Sequence, residues 1–286
     1  MTMKNLRILA PLSISLAASF CLQSCSKPAS TSTQTNDKLQ GKLVLTGAST
    51  VAPLAAEIGK SFEAAHPGVR VDVQTGGSSR GVTDARKGLA NIGMVSRALK
   101  DDEKDLKAFT IALDGVGVTL HKDNPVNNLS DAQVVDIYKG KITNWKQVGG
   151  KDAPITVINK AEGRSTLELF THYYKLKNSD IKASVIIGDN EQEVKTLSGN
   201  PNAIGYVSIG TAEVAAQNKV PIKLLPLGGI AATSENVKNG TFPLSRPLNL
   251  VMKTEPKGLE KEFIDFAQSP QVQSLVKEQN FVSLKK

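Results

Sequence analysis

The chain has 286 residues, 40% of them hydrophobic and 22% charged, an ordinary globular composition long enough for two modest domains or one large one. Aromatics make up only 5%, so the core is expected to rest on Val, Ile, Leu and Ala, which suit an α/β protein. The net charge is +8, but Lys and Arg are scattered among acids without a long basic run, which argues against a nucleic-acid partner.

Residues 1–24 differ from the rest. Lys4 and Arg7 are their only charges, and Ile8 to Leu22 is an apolar stretch broken by a proline and several serines. A bilayer-spanning helix needs about 20 apolar residues. A basic start, a short apolar middle and small residues after it describe an export signal instead. The ending Leu22-Gln23-Ser24-Cys25 resembles a bacterial lipoprotein signal, in which the cysteine takes up lipid and becomes the first residue after cleavage. The plainer alternative is an ordinary cleaved signal with an incidental cysteine. Residues 25–40 are rich in Ser, Thr and Gln and bury too little to fold, so they read as a flexible tether. Cys21 leaves with the signal and Cys25 carries the lipid. The mature domain is left without a thiol, and so without a disulfide, a cysteine zinc site or a cysteine nucleophile. Loss of Lys4 and Arg7 brings the net charge from +8 to +6.

The folded part is expected from Gly41. Lys42–Thr46 reads as a buried strand. Leu54–His66 has helical spacing and is stopped by Pro67-Gly68. Val69–Gln74 alternates like a strand, a glycine-rich loop from Gly76 to Gly81 follows, and a short helix runs from Val82. Ile92–Val95 is a short strand, so the opening is β-α-β-α-β, the pattern of a parallel sheet with crossover helices. Phe109–Leu120 is a strand pair or one long strand broken near Gly115. Ser130 with Gln133 is a capping box opening a helix to Lys139, closed by Gly140. A second series follows: a strand at Ile155–Ile158, a helix at Thr166–Leu176, a strand at Val185–Ile187, a helix capped by Asn190 with Glu193, and a strand at Ala203–Val207. A strand at Leu248–Met252 and helices at Glu260–Ala267 and Gln271–Glu278 finish the chain. Two α/β series predict two lobes, residues 41–117 with 248–286 and residues 118–247, each a mostly parallel sheet flanked by helices.

A small oxyanion held without a metal needs N–H and O–H donors converging from several directions. Helix N-termini offer free amides and a favourable dipole, Ser and Thr add hydroxyls, and Arg adds a bidentate fork. Four places offer this chemistry: Ala48-Ser49-Thr50-Val51, Gly77-Ser78-Ser79, Ser96-Arg97 and Gly163-Arg164-Ser165-Thr166. Each follows a strand at its carboxyl end, where open α/β sheets bind ligands. Singly, each is more often a helix cap, a turn or a surface charge. Four of one chemical kind at equivalent positions point to an anion site.

The runs TGASTVAPL (46–54), QTGGSSRGV (74–82), NIGMVSRAL (91–99), NKAEGRSTLELF (159–170) and NAIGYVSIG (202–210) resemble, in order and spacing, the phosphate-binding protein of the bacterial phosphate ABC importer, over nearly all of the mature chain. The resemblance implies a two-lobed periplasmic-binding-protein fold of the type II kind with the anion in the interlobe cleft. It also implies capture of inorganic phosphate outside the cytoplasmic membrane and delivery to a membrane permease, with no turnover and no cofactor. Carried across, it marks Ser49, Thr50, Val51, Ser78, Ser96, Arg97, Arg164, Ser165 and Thr166 as ligand residues, with Cys25 as the lipid attachment. Residues 202–207 resemble a segment behind the site and read as structural.

The departures from that family set further expectations. Many members have Arg-x-Asp-Gly-Ser-Gly-Thr where this chain has Lys160-Ala161-Glu162-Gly163-Arg164-Ser165-Thr166, so the guanidinium is displaced along the loop. Better-known members place a proton-accepting Asp where Arg97 stands. Asp114, between strand-like segments at the lobe crossing, is the candidate acceptor here; its alternative is a turn Asp before Gly115. Two rival functions exist. Gly77-Ser78-Ser79-Arg80-Gly81 fits the G-x-S-x-G nucleophile turn of a hydrolase, but the three histidines, His66, His121 and His172, leave the C-terminal part of the chain without one. A binder of another tetrahedral anion, or a sensor or adhesin on the same fold, is the other, because fold does not fix ligand.

Overall fold

The computed structural model describes residues 39–284. The export signal, Cys25 and nearly all of the tether lie outside the described residues.

The opening β-α-β-α-β series forms as its periodicity requires. β1 (Gln40–Gly47) runs into α1 (Ala52–Ala65), whose Leu54, Ala55, Ile58 and Phe62 recur at helical spacing and are buried. β2 (Gly68–Thr75), α2 (Ser78–Lys87) and β3 (Ile92–Val95) follow. β1 pairs in parallel with both β2 and β3, so the crossover helices lie on the sheet and the loops after β1, β2 and β3 gather at one edge.

The segment around Gly115 is one unbroken strand, β4 (Lys107–His121). It changes partners along its length. Lys107 to Gly115 pair antiparallel with β9, while Val116 to Leu120 pair antiparallel with β7. The Gly115-Val-Gly117 sequence suggests a break, but paired neighbours on both halves keep the backbone extended.

Beyond β4 come α3 (Asp131–Tyr138), β5 (Thr156–Lys160), α4 (Ser165–Tyr173), β6 (Val185–Ile187), α5 (Asn190–Ser198) and β7 (Ala203–Ser208). β5 pairs in parallel with β6 and β7. Ser130 caps α3 in a capping box with Gln133. The expected cap of α5 is corrected: Asp189, not Asn190, accepts from the Gln192 amide, and Glu193 is drawn inward to a buried lysine. α6 (Ile209–Gln217), β8 (Ile222–Leu224) and α7 (Ser234–Lys238) complete this region, with β8 antiparallel to β4. β9 (Ser245–Met252) then returns to pair with β3 and β4, and α8 (Gly258–Ala267) and α9 (Gln273–Glu278) follow.

Two main hydrophobic cores lie on either side of the β4 partner change. The first packs α1, α8 and α9 against β1, β3 and β9 through aliphatic residues such as Leu45, Ile58, Ile92 and Leu250, joined by Phe62 and Phe263. The second is more aromatic than the composition suggests. Phe170 and Tyr206 stack at 3.9 Å, Tyr138 and Tyr174 tilt against Phe170, and Trp145 is buried in the same cluster. No helix among the described residues is long and apolar enough to cross a membrane.

Candidate anion-binding site

The four loops singled out by their sequence meet at the crossing between the two lobes. Thr50, Ser78, Ser96, Ser165 and Thr166 are all buried, although each belongs to a residue type usually found at the surface. Arg246, near the start of β9, bonds three of them. Its side chain is 1% exposed. Nη2 donates to Thr50 Oγ1 at 3.1 Å, and Nη1 donates to Thr166 Oγ1 at 3.1 Å and, at a longer 3.4 Å, to Ser96 Oγ. Nε and Nη2 also donate to Asp114 Oδ2, at 3.1 and 2.9 Å. One guanidinium therefore joins both lobes and three of the four loops.

This geometry fixes the direction of the hydroxyls. Arg is a donor only, so each hydroxyl oxygen it touches acts as an acceptor there and keeps its own proton for another partner. The same holds at Ser78, whose Oγ accepts from the Ser96 amide at 3.1 Å. Thr50 Oγ1 accepts a second bond from Asn190 Nδ2 at 3.0 Å. Four hydroxyls are thus left as donors around one centre.

The N-terminus of α4 adds to them. Its first amides have no intrahelical acceptor, and the helix dipole favours negative charge there. Ser165 Oγ and Arg164 Nε and Nη1 are buried, with no hydrogen-bond partner among the described residues. Burial pushes the Arg164 guanidinium below its ordinary pKa, and the nearby Asp189 only partly offsets this. A buried donor without an acceptor costs about 1–3 kcal/mol. Gly77 makes room for this loop: its φ of +91° is open to glycine, and a Cβ there would come within 2.7 Å of Gly163 O and 2.8 Å of Arg164 Cδ. The Ser79 amide closes the gap between the lobes by donating to Gly163 O at 3.1 Å.

Four expected ligand residues are placed differently. Arg97 is corrected from an anion ligand to an ion-pair residue. Its Nη1 and Nη2 donate to Glu103 Oε2 and Oε1 at 2.6 and 2.8 Å, and Nε lies 2.7 Å from Glu168 Oε2. Burial opposes its charge, but the two carboxylates outweigh burial and hold its pKa above the ordinary value. The Val51 amide donates to Ala48 O at 3.1 Å, so it is spent on the turn before α1. Ser49 is half-buried and borders grooves between α1 and α5. Asp114 reaches the site, but as the partner of Arg246, with Oδ1 accepting from the Gly210 amide at 3.2 Å.

Lys160 also turns inward. It pairs with Glu193, and its Nζ donates to Asp189 O at 3.1 Å and Asn190 Oδ1 at 3.3 Å. Burial lowers the lysine pKa and raises that of Glu193. Through Asn190 and Thr50 this buried pair connects to Arg246. Sequence reasoning missed Arg246 because Ser245-Arg246-Pro247 follows no glycine-rich turn and opens no helix. The one available signal was a lone Arg directly before a proline and an apolar strand.

A family model described as a PBP superfamily domain matches residues 32–271. The chain belongs to this superfamily. Within it, the chain is 30% identical to the phosphate-binding protein PstS of Staphylococcus haemolyticus over 247 residues, covering 80% of this chain and 77% of that protein. It is 28% identical to the phosphate-binding protein PstS of Bacillus subtilis, covering 90% and 85% of the two chains. Among solved structures it resembles a putative phosphate ABC transporter substrate-binding protein from Clostridium perfringens with bound phosphate. That match has a TM-score of 0.78 and 34% identity, covering 86% of this chain and all of that one. An ABC-type phosphate transport receptor from Vibrio cholerae matches with a TM-score of 0.69 and 30% identity, covering 85% of this chain and all of that one. The PstS-type relatives are substrate-binding proteins, and the resemblance drawn from the five sequence runs agrees with them.

Proposed function

We propose that this chain captures inorganic phosphate outside the cytoplasmic membrane and delivers it to the permease of a phosphate ABC importer. The carrying observation is the convergence of hydroxyls from four loops, with a buried guanidinium, on one interlobe centre. Hydroxyls of Thr50, Ser78, Ser96, Ser165 and Thr166 donate to the phosphate oxygens. Arg164 and Arg246 supply positive charge, and the amides at the start of α4 complete the cage. Asp114 orients Arg246 and accepts the phosphate proton with its remaining lone pair. The relatives named for phosphate binding support this reading, as does the bound phosphate of the Clostridium perfringens structure.

The lobes, residues 41–117 with 248–286 and residues 118–247, close over the anion by bending where β4 and β9 cross between them. Binding occurs without turnover. Cys25 carries the lipid that holds the protein to a membrane. Membrane fractionation of Cys25→Ala tests the anchor, and retention through a high-salt wash would overturn it.

Calorimetry of the detergent-solubilised protein against phosphate, sulfate, arsenate and molybdate tests the solute. Saturable phosphate binding with one site per chain is expected. Heat from sulfate or molybdate alone would overturn the assignment.

A further inference from the structure

We infer that Glu168 is a positioning residue for anion binding. Together with Arg97 and Lys100 it forms a charged clasp that favours the closed arrangement of the lobes without touching the anion. This inference rests on reading the Arg246-centred ring as an anion site.

The clasp joins the two sides of the cleft. Arg97 and Lys100 follow β3 in the first lobe, and Glu168 lies in the first turn of α4 in the second. Glu103, on a short turn at residues 101–103 of the first lobe, grips both terminal nitrogens of Arg97 and also accepts from the Lys100 amide at 2.9 Å. That fork fixes the guanidinium and leaves Nε facing the other lobe. Glu168 meets it there, with Oε2 at 2.7 Å from Nε and Oε1 at 3.1 Å from Lys100 Nζ. This contact sets opposite charges against each other across the two lobes.

The placement couples the clasp to the site. α4 presents Ser165 and Thr166 to the ring and Glu168 to the clasp, so one rigid turn of helix carries both. Arg97 is 6% exposed, Glu168 26% and Lys100 47%, so the clasp runs from a buried end to an open one. A contact made only between lobes adds nothing to either lobe alone. It raises the fraction of molecules in the closed, binding-competent form, and apparent affinity follows that fraction.

Glu168→Gln removes the interlobe charge and keeps the shape of the side chain, leaving Arg97 bound to Glu103. The first readout needs no phosphate. The Ser79 amide donates across the lobes to Gly163 O, while the Gly81 amide donates to Gly77 O in the first turn of α2. In E168Q, hydrogen exchange at Ser79 is expected to speed up, with Gly81 and the melting temperature unchanged. The second readout is calorimetry and stopped-flow with inorganic phosphate, where E168Q is expected to bind about 5- to 50-fold more weakly. Lys100→Gln is expected to show a smaller effect of the same sign, and Glu168→Asp a partial recovery. Unchanged Ser79 exchange in E168Q would overturn the clasp, as would loss of melting temperature with no change at Ser79. If the wild type takes up no phosphate, the solute assignment falls, while the exchange measurement still decides the clasp.

Discussion

Arg246 and Asp114 lie 132 positions apart in sequence and meet side by side on the adjacent strands β9 and β4, as direct register partners. Both nitrogens on one edge of the guanidinium fall on the same carboxylate oxygen, Oδ2, and both side chains are 1% exposed. The other nitrogen, Nη1, is thereby aimed at Thr166 and Ser96, while Nη2 also reaches Thr50. Because strand pairing fixes this arrangement, the ring is set by the sheet rather than by its loops.

Removing Arg246 should therefore damage both fold and binding. Arg246→Met strands Asp114 as a buried unpaired carboxylate, and breaking a buried pair costs about 3–5 kcal/mol. Arg246→Met/Asp114→Leu removes both charges and should recover most of the melting temperature but no phosphate binding. A double variant with wild-type affinity would show that the ring needs no guanidinium at Arg246. Thermal melts and calorimetry on the same samples separate the two effects.

Arg164 should behave differently. Burial works against its charge, and two of its nitrogens have no partner among the described residues. Arg164→Gln should then leave the melting temperature without phosphate unchanged or slightly raised. Phosphate affinity should fall by about 10- to 150-fold, the worth of one charge-assisted bond at about 1.5–3 kcal/mol. A lowered melting temperature with unchanged affinity would make Arg164 a structural residue.

What the sequence revealed and what it hid follow from range. The loop hydroxyls could be read because strand, small polar residues and helix stand next to one another in the chain. So could the β-α-β-α-β opening, where periodicity and turn chemistry are local. Arg246 could not, because its partners Thr50, Ser96, Asp114 and Thr166 come from four distant segments. Arg97 looked like a ligand because it follows Ser96 directly, yet the first pull on it comes from Glu103, six residues on. Lys160 stands where the family's anion loop usually carries Arg, whereas the buried Glu193 claims it. In each case a nearby opposite charge in a dry interior outweighed the local pattern.

The Lys160–Glu193 pair makes a pH-dependent prediction. Burial raises the Glu193 pKa above its ordinary value, and Lys160 opposes the rise. Lys160→Met removes that opposition, so the carboxyl moves further up in the folded protein. A group whose folded pKa lies above its unfolded value stabilises the fold below the unfolded value, and that stability is lost as pH rises through the folded one. The melting deficit of Lys160→Met against wild type should therefore be largest near pH 8 and shrink toward pH 5. Lys160→Met/Glu193→Leu should show little deficit at either pH, since replacing a buried pair with apolar groups is often neutral. A deficit of the single variant that grows as pH falls would contradict this account.

Asp114 carries the selectivity prediction. Near neutral pH phosphate keeps at least one proton and sulfate keeps none, so an acceptor at the site welcomes one anion and repels the other. An ionised carboxylate has about four lone-pair positions. Arg246 takes two on Oδ2 and the Gly210 amide takes one on Oδ1, leaving one for the phosphate proton. Asp114→Asn keeps an oxygen for Arg246 but puts an amide N–H where that lone pair stood, and takes the acceptor from the Gly210 amide. Phosphate should then bind more weakly and sulfate more strongly, because an acceptor facing a bare oxyanion is costly and a donor is not. Competition binding of both anions to wild type and variant across pH 5 to 8 measures the gap. If Asp114→Asn lowers both affinities equally, Asp114 serves only to hold Arg246, and the proton is accepted elsewhere in the ring.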